Sequence, residues 1–174
     1  MDITIRRGII SDSELLSKLS EQTFRDAFGH TCTESDMNSF VKQYFSKQVI
    51  SQELEDTADY YFLAYLGEAA VGYMRLKEDY SDYENIRAFK ALELKRIYVL
   101  NSFQGKAIGK QLLSYAEQFA IDNSFEVLWL GVWEHNEGAK KLYKQMGFED
   151  TGDNHHFYIG ENESTDNWFV KRLR

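Results

Sequence analysis

The strongest constraint on the fold lies in the second half of the chain, where strand-like and helix-like patterns alternate twice. Ala91 to Val99 is typical of a strand, and Gly105 to Asn123 has the apolar spacing of a helix with one buried face. Val127 to Val132 is a strongly apolar strand, and Asn136 to Met146 is a short helix that Gly147 ends. Segments that alternate in this way pack helices against a sheet.

The other segments extend the same pattern and predict a mixed α/β sheet with helices on both faces. We expect one domain over residues 1–174, because a chain of 174 residues is of ordinary size for a single domain. The remaining predicted elements are a strand at Ile3–Ile9, a helix from a Ser11/Glu14 capping box to Phe28, a helix from Thr33 to Phe45, strands at 60–66 and 70–77, a polar loop at 78–89, and short late strands at 148–151, 156–159 and 168–173.

Composition narrows the classes of function. The net charge of −8 argues against a nucleic-acid partner, because phosphate binding needs a basic surface, and it is compatible with a cationic substrate. No apolar run approaches the roughly 18 residues that a membrane helix needs, and the N-terminus lacks the pattern of a signal peptide. Cys32 is the one cysteine, so no intrachain disulfide forms. These features predict a cytoplasmic protein without a membrane partner.

The segment from Ile97 to Lys110 predicts an anion site at the start of a helix. The first backbone N–H groups of a helix lack intrahelical partners and lie at its positive end, and small residues let an anion approach them. A phosphate-binding P-loop would need Gly-Lys-Ser/Thr, which is missing. A dinucleotide fingerprint would need three spaced glycines in a first β-α-β unit. The pattern alone leaves open that Gly105 and Gly109 only ease a turn and close packing.

The segment from Leu128 to Phe148 predicts a strand followed by a capped helix. Asn136 occupies the expected N-cap, and Tyr143 lies seven residues later on the same helical face. This periodicity alone favours Tyr143 as a core aromatic residue and Asn136 as a simple cap.

Both segments resemble the GNAT (GCN5-related N-acetyltransferase) superfamily. The first is similar to its acetyl-CoA loop, Gln/Arg-x-x-Gly-x-Gly/Ala, with Gln104 and Gly109 at the ends and Ala107 where a glycine is usual. The second is similar to the family's Asn-x-x-Ala-x-x-Leu-Tyr-x-x-x-Gly-Phe segment, from Asn136 to Phe148. The resemblance implies a single GNAT domain with a mixed, mostly antiparallel sheet of about six or seven strands flanked by helices.

The resemblance also implies acetyl-CoA as cosubstrate and no metal. It implies that Asn136 hydrogen-bonds the pantetheine or CoA, and that Tyr143 protonates the leaving thiolate. Fixed backbone N–H donors are expected to polarise the acyl carbonyl. The expected cofactor-binding residues are Ile97, Tyr98, Val99, Gln104, Gly105, Lys106, Ala107, Ile108, Gly109, Lys110, Asn136 and Tyr143.

Three further runs are similar to bacterial spermidine/spermine N-acetyltransferases: 101–104, 129–134 and 157–160. They imply a polyamine acceptor, which carboxylates and aromatic residues would bind in a groove. The candidate substrate-binding residues are Glu34, Asp36, Tyr73, Trp133 and Glu134, although each could equally belong to the surface or the core.

Glu93 is the candidate general base, because it lies on the strand that leads into the cofactor loop, where this superfamily often has a catalytic glutamate. Alternatively, Glu93 has no catalytic role and forms, with Lys95 and Arg96, a charged strand edge that faces solvent. Cys32 has no neighbouring base, and the four histidines lack the spacing of metal ligands.

Two alternatives to a polyamine acetyltransferase remain from the sequence. One is an N-acetyltransferase for another amine, such as a protein N-terminus, an amino acid or an aminoglycoside. The other is a non-catalytic module that binds acyl-CoA. Edge strands of this fold often pair, which is compatible with a homodimer.

Overall fold

The computed structural model describes residues 3–78, 83–84 and 86–173, and in these ranges it contains seven strands and five helices. The strands are β1 (Ile3–Arg7), β2 (Asp59–Leu66), β3 (Ala69–Glu78), β4 (Ala91–Val99), β5 (Val127–Trp133), β6 (Glu149–Ile159) and β7 (Asn162–Arg172). The helices are α1 (Ser13–Phe28), α2 (Glu34–Phe45), α3 (Lys47–Glu55), α4 (Ile108–Asp122) and α5 (Glu137–Gln145). Within these described ranges, no helix is both long enough and apolar enough to cross a bilayer.

The strands form one mixed sheet, as predicted from the sequence, and their order is β1-β2-β3-β4-β5-β7-β6. β1 runs antiparallel to β2, β5 runs antiparallel to β7, and β4 runs parallel to β5. The parallel register extends from Ala91 opposite Val127 to Glu93 opposite Trp129. The chain divides into two compact units. The first contains Met1–Arg75, Arg96–Leu112 and Ile159–Asn162, and the second contains Leu76–Lys95, Leu113–Tyr158 and Glu163–Arg174.

The first unit contains a buried network of charged side chains. Arg75 makes two hydrogen bonds of 2.7 Å to Asp59, and its third nitrogen lies 2.7 Å from Glu53. Glu53 also pairs with Arg96 at 3.1 Å and accepts a hydrogen bond from Tyr61. Two cations thus face two carboxylates, which compensates part of the cost of removing these charges from water. The network ties α3 to β2, β3 and β4.

The second unit contains a core of apolar and aromatic residues. Ile86, Ala91, Val127, Trp129 and Val170 are buried together. Tyr83 and Trp168 cover this cluster, and their ring centroids lie 4.0 Å apart in an edge-to-face arrangement that aromatic rings prefer.

Helix α3 was not predicted, because its nine residues carry few apolar side chains. Ile50 is fully buried and Leu54 packs beside it, but two residues do not make a periodic stripe. Polar residues stabilise this helix instead. The Ser46 hydroxyl accepts a hydrogen bond from Val49 N–H and caps the helix, and Glu53 belongs to the buried charge network. Tertiary ion pairing therefore supports a helix whose apolar pattern is weak.

The prediction of three short late strands was wrong, because 149–159 and 162–172 form two long strands. The polar run around Gly152 suggested a loop. It lies within β6, at the edge of the sheet, where polar side chains reach solvent and protect the edge.

Several boundaries also differ from the predictions. β1 ends at Arg7 rather than Ile9, and α4 begins at Ile108 rather than Gly105, because Gly105 and Ala107 have positive φ values. The proposed Ser11/Glu14 capping box is absent, since α1 begins at Ser13 after a 3-10 turn, and the Asp12 carboxylate accepts the Ile9 N–H instead. The predicted polar loop 78–89 lies partly outside the described residues. Its described part contributes Ile86, which is fully buried, to the core of the second unit.

We predict that Glu53→Gln lowers the free energy of unfolding by about 3–5 kcal/mol, because removal of one partner leaves a buried cation undercompensated. Urea unfolding would measure this loss. Glu14→Gln in α1 is the matched control. It removes a carboxylate that is 60% exposed and pairs with Lys18 at 2.8 Å, so its unfolding midpoint should barely move. Equal losses in the two variants would contradict a special role for the network.

Candidate functional site

In the first unit, the loop between β4 and α4 has the backbone of an anion-binding turn. Gly105 and Ala107 both have positive φ values, +75° and +60°. The first backbone hydrogen bond into α4 runs from Gln111 N–H to the Ala107 carbonyl at 3.1 Å. The N–H groups of Ile108 and Gly109 precede that bond, at the positive end of a 15-residue helix.

The side chains of this loop leave its backbone accessible. No described atom lies within 4 Å of the position that a Cβ would take at Gly105 or Gly109, so both face open space. Gln104 does not extend outward: its amide donates to the Val99 carbonyl at 3.2 Å and to Asn101 Oδ1 at 2.9 Å. Gln104 thus shapes the turn, and the backbone can accept an anion.

Lys106 and Lys110 add positive charge to this loop and are both exposed. The Lys106 ammonium lies 4.8 Å from the centre of the Phe103 ring, an arrangement typical of a cation–π contact. The preceding residues Ile97, Tyr98 and Val99 end β4 and are half-buried. Gly72 is required beside them, because a Cβ there would come within 2.8 Å of the Tyr98 carbonyl oxygen.

In the second unit, Asn136 is the N-cap of α5, as predicted. Its side-chain oxygen accepts the Ala139 N–H at 3.1 Å, which leaves its amide NH2 group for another acceptor. The cap fixes the start of the helix at the end of β5.

Tyr143 lies two turns further along α5 and is 7% exposed. Its ring packs against Phe148 and Phe169, with centroid distances of 5.8 Å and 6.3 Å. Burial raises the pKa of Tyr143 above that of a free phenol, and the negative charge of Asp166 raises it further. The phenol therefore retains its proton at neutral pH, as a proton donor must.

Glu93 is the buried carboxylate of β4, and Lys95 Nζ lies 2.9 Å from its Oε2. Its partner in the parallel register is Trp129 of β5, so both side chains lie on one face of the sheet. The sequence predicted Glu93 as the base but gave no indication of this neighbour.

Four of the five candidate substrate residues separate into two pairs. Glu34 is exposed in the first turn of α2, and Tyr73 is fully buried in the core of the first unit. Trp133 and Glu134 are adjacent at the end of β5 in the second unit, where the Trp133 ring lies edge-to-face with His135 at 5.1 Å. Complete burial of Tyr73 argues against a contact with substrate, whereas the other three can reach solvent.

Asp36, also considered as a substrate residue, packs against a turn instead. A Cβ at Gly160 would clash with its carboxylate, and Gly160 itself has a φ of +62°. Within the described ranges, no cluster of three or more His, Cys, Asp or Glu side chains could hold a metal ion.

Asp166 on β7 is the residue that the sequence analysis missed. It pairs with Trp133 across β5 and β7, and burial raises its pKa from the ordinary 3.8 to about 6. A perturbed carboxylate of this kind is a common feature of functional sites. The sequence contained one hint, an acidic residue two positions before Trp168, but its position depends on the register of β7.

Comparisons with known proteins agree with this architecture. The chain is 37% identical over 156 residues to an uncharacterized N-acetyltransferase of Lactobacillus delbrueckii subsp. lactis, covering 89% of this chain and 88% of the relative. It is 29% identical over 157 residues to a spermidine N(1)-acetyltransferase of Thermoplasma acidophilum, covering 87% and 92% of the two chains.

The structure is similar to that of the PaiA N-acetyltransferase of Thermoplasma acidophilum in complex with coenzyme A, with a TM-score of 0.78, 22% identity and 99% coverage of both chains. A model of the acetyltransferase (GNAT) family matches residues 19–148, which is most of the sequence. The chain therefore belongs to the acetyltransferase (GNAT) family, a family of N-acetyltransferases, as its two motifs predict.

Proposed function

We propose that the protein transfers the acetyl group of acetyl-CoA to a primary amine of a polyamine such as spermidine. Family membership supports acetyl transfer to an amine. We choose a polyamine as acceptor because the chain is similar, over 87% of its length, to a relative named spermidine N(1)-acetyltransferase.

The charge and the aromatic residues of the protein fit a polycationic acceptor. The net charge is −8, which attracts cations to the protein. In the second unit, the half-buried rings of Trp133 and Trp168 lie on one face of the sheet, and the half-buried Glu134 directly follows Trp133. Indole rings bind ammonium groups, and carboxylates pair with them.

In this proposal, the loop from Gln104 to Lys110 holds the pyrophosphate of acetyl-CoA. The N–H groups at the start of α4 donate to its oxygens, and Lys106 and Lys110 balance its charge. The backbone of Ile97 to Val99 holds the pantetheine amides and the acyl carbonyl. Open space at Gly105 and Gly109 supports the fit of such a group.

The residues of the second unit supply the proton chemistry. The amide NH2 group of Asn136 donates to the pantetheine, and Tyr143 donates its phenolic proton to the sulfur as the C–S bond breaks. The amine must lose a proton when it attacks. Glu93 is the base predicted from the sequence, but the Lys95 ammonium at 2.9 Å offsets the charge with which its carboxylate would attract that proton.

Three further features of the proposal come from the sequence. We expect the enzyme to act in the cytoplasm, without nucleic acid or membrane as partner. A homodimer is compatible with the family resemblance. Glu34, Trp133 and Glu134 are proposed to line the path of the polyamine.

We predict that the protein releases free thiol from acetyl-CoA when spermidine or spermine is present. Lysine, an aminoglycoside and a short peptide are the competing acceptors, and reactions without amine give the background. Higher kcat/KM for the polyamines supports the proposal. Turnover with only one of the competitors would move the acceptor assignment to that class, and acetyl-CoA binding without any turnover would indicate a non-catalytic module.

We predict that Tyr143→Phe lowers kcat by about 10²- to 10⁴-fold, the usual contribution of a positioned general acid. The dissociation constant for acetyl-CoA, measured by calorimetry, should stay within about twofold, because the ring still fills its site between Phe148 and Phe169. Tyr44→Phe, at an exposed position of α2, is the control and should keep full activity. A kcat that survives in Tyr143→Phe would exclude the phenol as the acid.

We predict that Ala107→Gly tightens acetyl-CoA binding severalfold. Alanine is strained at a φ of +60°, and its methyl group narrows the approach of the pyrophosphate to the backbone. Ser124→Gly is a matched control, since Ser124 has a φ of +61° but lies beyond the far end of α4. Both variants should relieve strain in thermal unfolding, yet only Ala107→Gly should change the dissociation constant. Equal affinities in the two variants would contradict the role of the methyl group.

A further inference from the structure

All three tryptophans of the protein lie on one face of the sheet in the second unit. The register pairs Trp129 with Val170, Gly131 with Trp168, and Trp133 with Asp166. Side chains of directly paired residues lie on the same face, and alternate residues of one strand share a face. Asp166 is therefore the carboxylate that β7 contributes to this aromatic surface.

Gly131 makes room for the Asp166 carboxylate on this face. A Cβ at Gly131 would lie 3.2 Å from both Cβ and Oδ2 of Asp166, which is tighter than ordinary contact. Because residue 131 has no side chain, the Asp166 carboxylate can lie over the backbone of β5 at Gly131. This position is between Trp133, which pairs with Asp166, and Trp168, which pairs with Gly131. Any larger residue would push the carboxylate away from that position.

Asp166 forms no hydrogen bond or ion pair with any residue of the described ranges, although it is largely withdrawn from solvent. Buried polar groups are normally paired, so an unpaired one calls for an explanation. The indole N–H of Trp129 lies on the same face. It is fully buried and has no acceptor within the described part of the chain, whereas the half-buried Asp166 carboxylate also reaches solvent. One face of one unit thus holds an unused acceptor and an unused donor.

We propose that Asp166 binds the amino group of the acceptor and takes its proton during attack on the thioester. This inference rests on the proposed function, and it assigns to Asp166 the role that the sequence gave to Glu93. The tryptophans flank the carboxylate and favour a cation that brings its own alkyl chain, as a polyamine does.

The step balances as follows. The amine nitrogen forms a bond to the carbonyl carbon of the thioester, and the C–S bond breaks with its electron pair going to sulfur. The bound ammonium first gives one proton to the Asp166 carboxylate, which frees the nitrogen lone pair that attacks. The sulfur takes the phenolic proton of Tyr143, and the nitrogen releases its second proton to water as the amide forms. Water then removes the proton from Asp166 and returns one to Tyr143, so the products are an amide and a thiol.

The protonation of Asp166 sets the pH dependence. Burial raises its pKa to about 6, so the carboxylate is ionised and able to accept a proton above that pH and is protonated below it. Other titratable groups on the elements around it include Glu93 and Lys95 on β4, Glu134 and His135 after β5, Lys140, Tyr143 and Lys144 on α5, Asp150, Asp153, His155 and His156 on β6, and Glu163 and Lys171 on β7 itself.

The test is the pH dependence of kcat/KM for spermidine, from pH 5 to 9.5, in the wild-type protein and in Asp166→Asn. The wild-type rate should fall below about pH 6 and vary little between pH 7 and 9. Asp166→Asn should lose about 10²-fold or more at pH 7.5, as expected for the loss of a general base. Its remaining rate should climb towards the pKa of the free amine, about 10.

Three controls separate this role from a structural one. Calorimetry should give the same dissociation constant for acetyl-CoA in Asp166→Asn as in the wild type. Glu161→Gln removes an equal charge from the exposed turn before β7 and should leave the profile unchanged. In Glu93→Gln, kcat/KM should still fall near pH 6. If it does not, Glu93 rather than Asp166 is the general base.

Gly131→Ala provides an independent test that keeps the carboxylate. The added methyl group displaces Asp166, so kcat/KM should fall about 10- to 100-fold with unchanged acetyl-CoA affinity, as a small misplacement of a reacting group does. If the wild-type protein acetylates no amine, the proposed function itself is wrong. A wild-type protein that acetylates spermidine, with Asp166→Asn and Gly131→Ala both keeping its rate and profile, would overturn only the role of Asp166.

Discussion

The pairing of β5 with β7 is the constraint on which the proposed catalytic residues of the second unit depend. The register runs without interruption from Val127 opposite Arg172 to Trp133 opposite Asp166. Because side chains alternate along a strand, a slip of one residue would exchange the two faces of β7. In the observed register, Leu130 and Phe169 lie on the face where Phe169 contacts Tyr143, while Gly131 and Trp168 lie on the opposite face with Asp166. One hydrogen-bond ladder thus sets the positions of both Tyr143 and Asp166, and the two remain near enough for the carboxylate to raise the pKa of the phenol.

The end of β5 also determines where the proposed proton donor lies. Glu134 N–H donates to the Thr165 carbonyl at 2.9 Å, so β5 stays attached to β7 up to the turn. Asn136 then caps α5, and Gly147, with a φ of +85°, ends it. Because both ends of this nine-residue helix are fixed, the position of Tyr143 is also fixed. The residues that begin and end the helix thus fix the position of the phenol to which we assign the proton donation.

Local signals predicted much of this structure. The Asn136 cap, the end of α5 at Gly147 and the turn before α4 could be predicted because each depends on a few neighbouring residues. Helix α3 could not, since Glu53 supports it through Arg75 and Arg96, which are far away in the sequence. Asp166 could not either: its neighbours Gly131 and Trp133 become neighbours only once β7 is in register. The sequence thus indicated where a cofactor would bind more readily than which side chains would meet the acceptor, because the first question is local and the second depends on strand pairing.

Asp166 differs from the buried charges of both units that have partners, such as Glu93 with Lys95, and the contrast argues for where function lies. In the first unit, Arg75 and Arg96 meet Glu53 and Asp59, so each buried charge has a partner and the network serves the fold. In the second unit, Asp166 is withdrawn from water without a hydrogen bond to any described residue, which raises its pKa and costs stability. A leucine or valine at that position would avoid the cost and could still pack beside Trp133 and Trp168. The protein retains a charge that lowers its stability and a glycine that makes room for that charge. A ligand that supplies the missing partner explains this better than packing does.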